Sequence, residues 1–209
     1  MKKKYVSPET IKRLTIYLRH LEILKQQGME IISSEEITSF LNIPPAQFRK
    51  DLSYFGEFGK RGVGYNIENL IKIIKKIIGV DRKNNVVVIG VGRLGSALIG
   101  YPGFSKLNIN IVGAFDNNPQ KIGKVVEGIK IMDIKELKKF VKKNDIKIAI
   151  LSVPADVAQS VGKLAVEAGI KGILNFAPTP LVLPSDVNIV NVDMASELAN
   201  IIFALKSLK

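Results

Sequence analysis

The sequence predicts an α/β protein built from a helical N-terminal domain, a doubly wound parallel sheet and a C-terminal helix. Apolar residues recur at helical spacing through most of the first 80 positions, whereas from residue 86 six short, solidly apolar runs alternate with helical stretches. Continuous apolar strands separated by helices indicate a parallel sheet that is covered on both faces. We therefore expect domains at residues 1–80 and 85–192, followed by a separate helix at 193–209.

The N-terminal region opens with two predicted helices. The first begins after Ser7, an expected N-cap that is followed by a proline and an acidic residue, and its apolar residues recur until Gly28. Ser33 and Glu36 have the spacing of a capping box, which predicts a short second helix that continues through Leu41.

A turn at Asn42 and Ile43 separates this short helix from a third helix, which starts at Pro44-Pro45 and runs to about Phe55. Short helix, tight turn and second helix form the pattern of a helix-turn-helix. Residues 58–65 then place basic side chains between glycines and aromatics, which suits a two-stranded hairpin with a sharp tip. With this hairpin as a wing, and another amphipathic helix over residues 66–78, the N-terminal domain is predicted to be a winged helix.

The third helix carries polar side chains of the types that contact double-stranded DNA. Phe48, Leu52 and Phe55 share its apolar face and leave the other surfaces to polar groups. Arginine reads guanine edges, glutamine suits adenine, and lysine, serine and tyrosine contact phosphates, while basic residues at a wing tip enter a minor groove. An ordinary charged helix beside an ordinary hairpin is the alternative. The predicted DNA-binding residues are Gln47, Arg49, Lys50, Ser53 and Tyr54 on the helix and Lys60, Arg61 and Gly62 on the wing.

Net charge supports this interpretation only weakly. The chain carries a formal charge of +12, and half of that excess lies in the first 80 residues. The excess is therefore denser at the N-terminus but is not confined to it, and scattered lysines usually form a solvated surface. Placement of the basic residues, not their number, carries the prediction of DNA binding.

The six predicted strands alternate with helices, as in a Rossmann domain. The first strand leads directly into GVGRLG, a GxGxxG motif whose glycines allow a tight turn, close approach of a pyrophosphate and packing of helix on sheet. An acidic residue at the end of the second strand is placed to bind the adenosine ribose. The predicted strands cover residues 86–89, 109–115, 129–132, 146–151, 172–176 and 187–192. The predicted dinucleotide-binding residues are Gly90, Val91, Gly92, Arg93, Leu94, Gly95 and Asp116.

Two further features concern the choice of dinucleotide. Asp116 is expected to repel a 2′-phosphate, and Asn117 and Asn118 offer no arginine to neutralise one, so NAD⁺/NADH is favoured over NADP⁺/NADPH. The loops at residues 152–155 and 175–178 follow predicted strands and are mostly apolar. Such a surface holds an uncharged dihydronicotinamide more readily than the cationic oxidised ring. These loops add Val153, Pro154, Phe176, Ala177 and Pro178 to the predicted cofactor site.

The sequence gives little support for catalysis. The chain has no cysteine, and its single histidine, His20, lies in the first helix, far in sequence from the glycine motif. We therefore expect NAD⁺/NADH to be a sensed ligand, with no catalytic residue and no metal site. Two alternatives remain at this point: an NAD-dependent oxidoreductase with an accessory N-terminal domain, and a module that binds coenzyme A on the same sheet.

Location follows from composition. No apolar run approaches the ~18 residues that a membrane helix requires, and the lysine-rich start lacks the apolar core of a signal peptide. The absence of cysteine fits a reducing compartment. A cytoplasmic protein without a membrane partner is expected.

Four motifs resemble the redox-sensing transcriptional repressor Rex family. They are QFRKDLSYFGEFGKRGVGY at residues 47–65, YPGF at 101–104, GIKGILNFAP at 169–178 and NVD at 191–193. They occur in the family's order and extend over nearly the whole chain. The resemblance implies a homodimer that binds palindromic operator DNA when free or bound to NAD⁺ and releases it when NADH binds.

The resemblance also implies roles for individual residues. Tyr101 matches a tyrosine near the nicotinamide, and Arg19 and Asp193 match a pair that links the first helix to the start of the last one as a switch. The apolar C-terminal helix matches the family's swapped dimerisation helix. The sequence departs from the family at Asn118, where a second acid often follows Asp116, which leaves cofactor affinity open but not cofactor type.

Overall fold

The structure, a computed structural model, describes residues 6–60 and 62–206 and divides after Arg82 into two compact units. The first unit contains four helices and a two-stranded antiparallel sheet, among the residues described, in which Ile31 pairs with Asn66 and Ile32 with Tyr65. Its elements are α1 (Pro8–Gln26), β1 (Ile31–Ile32), α2 (Ser34–Thr38), α3 (Pro45–Ser53), β2 (Tyr65–Asn66) and α4 (Ile67–Ile78).

The predicted helix starts in this unit are confirmed. Ser7 caps α1 by accepting a hydrogen bond from the Thr10 N–H, and both bonds of the capping box between Ser33 and Glu36 are present. The cap and the box satisfy backbone N–H groups that have no partner within their own helix.

Two helices end at earlier residues than predicted. The second helix ends at Thr38 instead of continuing through Leu41, because the Leu41 N–H bonds the Thr38 carbonyl in a tighter turn. Asn42 then adopts a left-handed conformation, with φ 51°. The third helix ends at Ser53, not Phe55, because the Phe55 N–H bonds the carbonyl only three residues back.

Three aromatic rings form the centre of the first unit. Tyr17 of α1 meets Phe48 of α3 edge to face at 4.9 Å, and Phe48 meets Tyr65 of β2 in the same way at 5.3 Å. Because Tyr17 and Phe48 are fully buried, the orientation of α3 is fixed by packing against α1 on one side and the β-sheet on the other.

The second unit is a seven-stranded sheet in the order β5-β6-β4-β3-β7-β8-β9, within the residues described. All neighbouring strands are parallel except β5 and β6, and the six parallel strands have the order of a Rossmann domain. The predicted fold class, a winged-helix unit followed by a Rossmann unit, is confirmed. Its elements are β3 (Asn84–Ile89), α5 (Arg93–Ile99), α6 (Pro102–Ser105), β4 (Ile109–Asp116), β5 (Val125–Val126), β6 (Ile129–Asp133), a 3-10 turn (Ile134–Glu136), α7 (Leu137–Lys143), β7 (Ile148–Leu151), α8 (Ala155–Ala168), β8 (Gly172–Asn175), β9 (Asn188–Asn191) and α9 (Met194–Lys206).

The prediction of six strands for this unit did not include β5. This strand has two residues and pairs with β6 across a tight turn in which Glu127 and Gly128 both have positive φ. Such a turn suits a hairpin, but a two-residue strand has no periodicity that a sequence pattern can detect. Strand β7 begins at Ile148, two residues later than predicted, because Ile146 instead bonds its N–H to the carbonyl of Val141 and closes the end of α7.

Alternate residues along β3 point to opposite faces of the sheet. Val87 and Ile89 pack in a core beneath α7 and α8, whereas Val86 and Val88 pack in a second core with residues of α5 and α6. Helices therefore cover both faces, as the solidly apolar strands predicted.

Helix α9 is apolar, yet its residues are exposed and none is buried. No helix in the described ranges is both long and apolar enough to cross a bilayer. The exposed apolar side chains of α9 are Met194, Leu198, Ile201, Ile202, Phe203 and Leu205, each at least 56% exposed.

Candidate functional sites: a nucleotide cavity and a DNA-reading surface

The glycine motif forms the turn between β3 and α5. Gly90 has a φ of 93°, and a Cβ there would lie 2.5 Å from the Ser152 carbonyl oxygen at the end of β7. A Cβ at Gly95 would lie 2.0 Å from the Gly90 carbonyl oxygen, whereas one at Gly92 would have no neighbour within 4 Å. Gly90 and Gly95 are therefore required by the fold, and Gly92 leaves open space at the start of α5.

Asp116 ends β4 beside this turn and is almost fully buried. Its carboxylate accepts hydrogen bonds from the Val91 N–H at 2.8 Å, the Asn118 N–H at 2.9 Å and the Lys121 ammonium at 2.9 Å. Burial by itself raises the pKa of the Asp116 carboxyl, but these bonds together outweigh burial, led by the bond from Lys121, and hold the pKa below its ordinary value. The carboxylate is therefore anionic and held in one orientation.

A cavity of about 730 Å³ opens between these groups at the point where the strand order reverses, with walls from the ends of β3, β4 and β7. This position, outside the carboxyl ends of parallel strands, is where doubly wound sheets bind ligands. Among the residues predicted for the cofactor, those that line the cavity are Gly90, Gly92, Arg93, Leu94, Asp116, Val153 and Pro154.

The other predicted cofactor residues do not line this cavity. Val91 contributes the N–H that bonds Asp116, and Gly95 packs α5 against the turn. Tyr101 is half-exposed and meets Phe104 edge to face at 5.0 Å, and Phe104 packs in the same core as Phe176. Ala177 is buried and Pro178 is exposed.

Lys121 is a cavity residue that the sequence interpretation missed. It follows Asp116 by five positions, beyond Asn117 and Asn118. The signal in the sequence is the run NNPQK, whose asparagine and proline favour a turn that returns the chain toward the strand end.

The predicted DNA-binding residues of α3 differ in the exposure and the hydrogen bonds of their side chains. Lys50 is exposed, and Tyr54 is half-buried. The Ser53 hydroxyl donates to the Lys50 carbonyl, and the Gln47 amide donates to Asp51 at 2.8 Å. One of the two Gln47 amide hydrogens is thus engaged, and the second hydrogen and the carbonyl oxygen remain for a further partner.

Arg49 lies at the junction of the two helices of the helix-turn-helix. Its Nη1 donates to the Ser34 hydroxyl at 2.6 Å and pairs with Glu35 at 3.0 Å, while half of its side chain remains exposed. These contacts hold the guanidinium at the surface of a groove of about 570 Å³ that runs between α3 and the wing.

The wing is a tight loop closed by one antiparallel bridge. Lys60 and Gly64 exchange both backbone hydrogen bonds at 2.9 Å, and Gly62 at the tip has a φ of 77°. A Cβ at Gly64 would lie 2.5 Å from the Ile32 carbonyl oxygen, so glycine is required where the wing meets β1. Arg61, also predicted to contact DNA, lies outside the described residues.

Asp51 holds α3 against α1. It lies within the motif at residues 47–65, but the sequence predicted no role for it. Its fully buried carboxylate accepts from Arg13 Nε at 2.6 Å and Nη2 at 2.7 Å, from Tyr17 at 3.0 Å and from Gln47. Burial alone raises the pKa of the Asp51 carboxyl, yet the bonds from Arg13, Gln47 and Tyr17 bring that pKa below its ordinary value. The same carboxylate raises the pKa of the Arg13 guanidinium.

The predicted switch residues occupy surface positions in their own units. Arg19 is exposed on α1. Asp193 precedes α9 and caps it, since its carboxylate accepts from the N–H groups of Ala195 and Ser196 and from the Ser196 hydroxyl.

A winged helix joined to a Rossmann unit with a nucleotide-sized cavity defines the class of transcription regulators that respond to a small ligand. Comparison with known proteins specifies the class further. A family model described as a putative DNA-binding protein N-terminus matches residues 5–53, and one described as a CoA binding domain matches residues 81–179.

Curated relatives match over almost the entire chain. The redox-sensing transcriptional repressor Rex of Desulforamulus reducens is 43% identical over 98% of this chain and 98% of its own, and that of Carboxydothermus hydrogenoformans is 45% identical over 98% and 99%. The chain belongs to the Rex family of redox-sensing transcriptional repressors, as the sequence motifs predicted. It is accordingly a regulator and not an enzyme.

Solved structures give the same result. A Rex-family repressor called RSP, in complex with β-NAD⁺ and operator DNA, is 38% identical to this chain, with a TM-score of 0.92 over 98% of this chain and 94% of its own. RSP in complex with β-NADH has a TM-score of 0.87 at 37% identity, over 99% and 100% of the two chains.

Proposed function

We propose that this protein represses transcription by binding palindromic operator DNA as a homodimer, when free or bound to NAD⁺, and that NADH releases it. The observation that carries this proposal is the cavity at the glycine turn and Asp116, in a chain whose other unit is a winged helix. The genes under its control would then serve NADH reoxidation, and the protein would act in the cytoplasm.

The cavity suits a dinucleotide. Gly92 leaves room for a pyrophosphate at the start of α5, and Asp116 lies at the position where a carboxylate accepts a hydrogen bond from the adenosine ribose. Val153 and Pro154 give the cavity an apolar wall, and Tyr101 with residues 176–178 would surround the nicotinamide. An apolar surrounding favours the neutral reduced ring over the oxidised cation, which is costlier to desolvate.

The winged helix supplies the DNA-binding surface. Arg49, Lys50 and Tyr54 of α3 would enter the major groove, and Lys60 with its neighbours at the wing would meet the minor groove and phosphates. The apolar surface of α9 supports a homodimer, because a helix with this much exposed apolar area is stabilised by packing against another surface. Two copies related by a twofold axis would match a palindromic operator.

The proposal is tested by measuring both ligands on the same protein. A duplex selected from a random library by the purified chain is titrated in a mobility-shift assay without dinucleotide, with NAD⁺ and with NADH. We expect NADH to weaken DNA binding and NAD⁺ to leave it nearly unchanged. Linkage requires that operator DNA weaken NADH binding by the same factor. Equal DNA affinity with and without NADH would contradict the proposal.

Arg49→Ala tests the DNA-reading surface. We expect it to cost about 1 to 3 kcal/mol on the selected operator and to relax one base position, because an arginine pairing with a guanine edge is lost. Lys50→Ala is the matched control on the same helix, and it should weaken all sequences alike if it contacts only phosphate. Equal losses on specific and random duplexes for Arg49→Ala would remove Arg49 from base reading.

Asp193→Asn tests the proposed switch pair with Arg19. Asparagine caps a helix about as well as aspartate, so this variant keeps α9 intact while it removes the charge. If the Arg19–Asp193 pair distinguishes two dimer states, the variant changes the factor by which NADH weakens DNA binding while each ligand still binds alone. An unaltered coupling factor would assign Asp193 to helix capping only.

A further inference from the structure

The edge of the cavity beyond Asp116 carries a cation. Lys121 lines the cavity together with Asn117 and Asn118, and its ammonium lies 2.9 Å from Asp116 Oδ2. About one third of the lysine side chain remains exposed. The carboxylate that would bind the adenosine ribose is therefore part of an ion pair that borders the ligand space.

The loop conformation fixes Lys121 in this place. The Asn118 N–H bonds Asp116, the Asn118 side-chain oxygen accepts from the Gln120 N–H at 2.9 Å, and the Asn118 carbonyl accepts from the Lys121 N–H at 2.9 Å. The Ile122 N–H bonds the same carbonyl at 3.2 Å. These consecutive turns return the chain to the strand end, so the lysine reaches the carboxylate from a folded loop.

The Asp116 carboxylate keeps one acceptor position free for a ligand. Oδ2 of Asp116 already accepts from Val91 and Lys121, and Oδ1 accepts from Asn118, which leaves one acceptor position on Oδ1. One ribose hydroxyl can donate to that position. The neighbouring ribose oxygen would then face the Lys121 ammonium, and so would a phosphate attached to that oxygen.

We propose that Lys121 sets how strongly the site discriminates between dinucleotides with and without a phosphate on the adenosine ribose. An unpaired carboxylate repels a ribose phosphate, whereas the Asp116–Lys121 pair has no net charge and offers that phosphate a cation. This site therefore rejects NADPH less strongly than Asp116 alone would. The inference rests on the proposed function, since it concerns the same dinucleotide cavity.

Lys121→Met tests the inference because it removes the charge but keeps an apolar side chain of similar length. NADH and NADPH are titrated into the full chain, with dihydronicotinamide fluorescence as the signal. We expect the ratio of the NADPH and NADH dissociation constants to rise about tenfold, as for loss of one charge-assisted hydrogen bond, mainly through weaker NADPH binding.

Three further variants make the result specific. Lys124→Met removes an exposed lysine three positions along the same loop and should leave the ratio unchanged. Lys121→Arg keeps the charge and should stay near the unmodified ratio, whereas Asp116→Ala should lower it by removing the repulsive group. An unchanged ratio in Lys121→Met, or equal weakening of both dinucleotides, would overturn the inference. Failure of the unmodified chain to bind NADH at all would instead overturn the proposed function.

Discussion

Gly95→Ala is expected to abolish NADH binding and to destabilise the Rossmann unit by roughly 3 kcal/mol, the upper end of what overpacking costs. The added Cβ would lie 2.0 Å from the Gly90 carbonyl oxygen and 2.9 Å from the Ser152 hydroxyl. A backbone oxygen in a tight turn has little room to move, so α5 must shift away from the turn that joins it to β3. The shift is measured as a lower melting temperature together with loss of NADH fluorescence enhancement.

Gly92→Ala is the matched control, because a Cβ there has no neighbour within 4 Å and the backbone φ is an ordinary −82°. We expect the melting temperature of this variant to stay near that of the unmodified chain while NADH binding weakens, since the methyl group occupies the space proposed for the pyrophosphate. A Gly92→Ala protein that binds NADH normally would show that the dinucleotide does not pass over this glycine.

Asp51→Ala is expected to destabilise the winged-helix unit by about 3 to 5 kcal/mol, as is usual when one partner of a buried ion pair is removed. The substitution leaves Arg13, whose side chain is three quarters buried, without its bidentate acceptor and frees both Tyr17 and Gln47. Operator binding should fall with it, because α3 loses its anchor on α1. Glu9→Ala, which breaks the exposed Glu9–Lys12 pair of the same helix, should change stability by only ~0.5 kcal/mol or less.

The pH dependence of this contribution has a definite sign. The folded-state pKa of Asp51 is below the ordinary 3.8, so the unfolded chain binds more protons between the two values. The stability that Asp51 provides is therefore complete above pH 3.8 and is lost as the pH falls further. Urea unfolding at about pH 6 and about pH 3 should show a smaller difference between Asp51→Asn and the unmodified chain at the lower pH. An equal difference at both values would contradict the assignment of charge to this pair.

Local features of this protein follow from sequence alone. Ser7 and the Ser33–Glu36 box act through neighbours three residues away, so their spacing is sufficient to place the helix starts. Strands that are buried on both faces have an unmistakable apolar pattern, and the GxGxxG turn requires glycine for reasons of backbone geometry. Family motifs in order along the chain extend these local signals to the class of regulator.

The roles of Asp51 and Lys121 depend on contacts between residues that are distant in sequence, and only the tertiary structure determines them. In the sequence, Asp51 is one charged residue in a polar helix. Its partners Arg13 and Tyr17 lie more than 30 positions earlier, so only the packing of α3 on α1 makes Asp51 a buried anchor. Lys121 is one of many lysines in the sequence, and only the successive turns after β4 bring its ammonium back to Asp116. Spacing predicts which groups a local segment can satisfy, whereas the charge and free acceptors of a site depend on how the chain folds back upon itself.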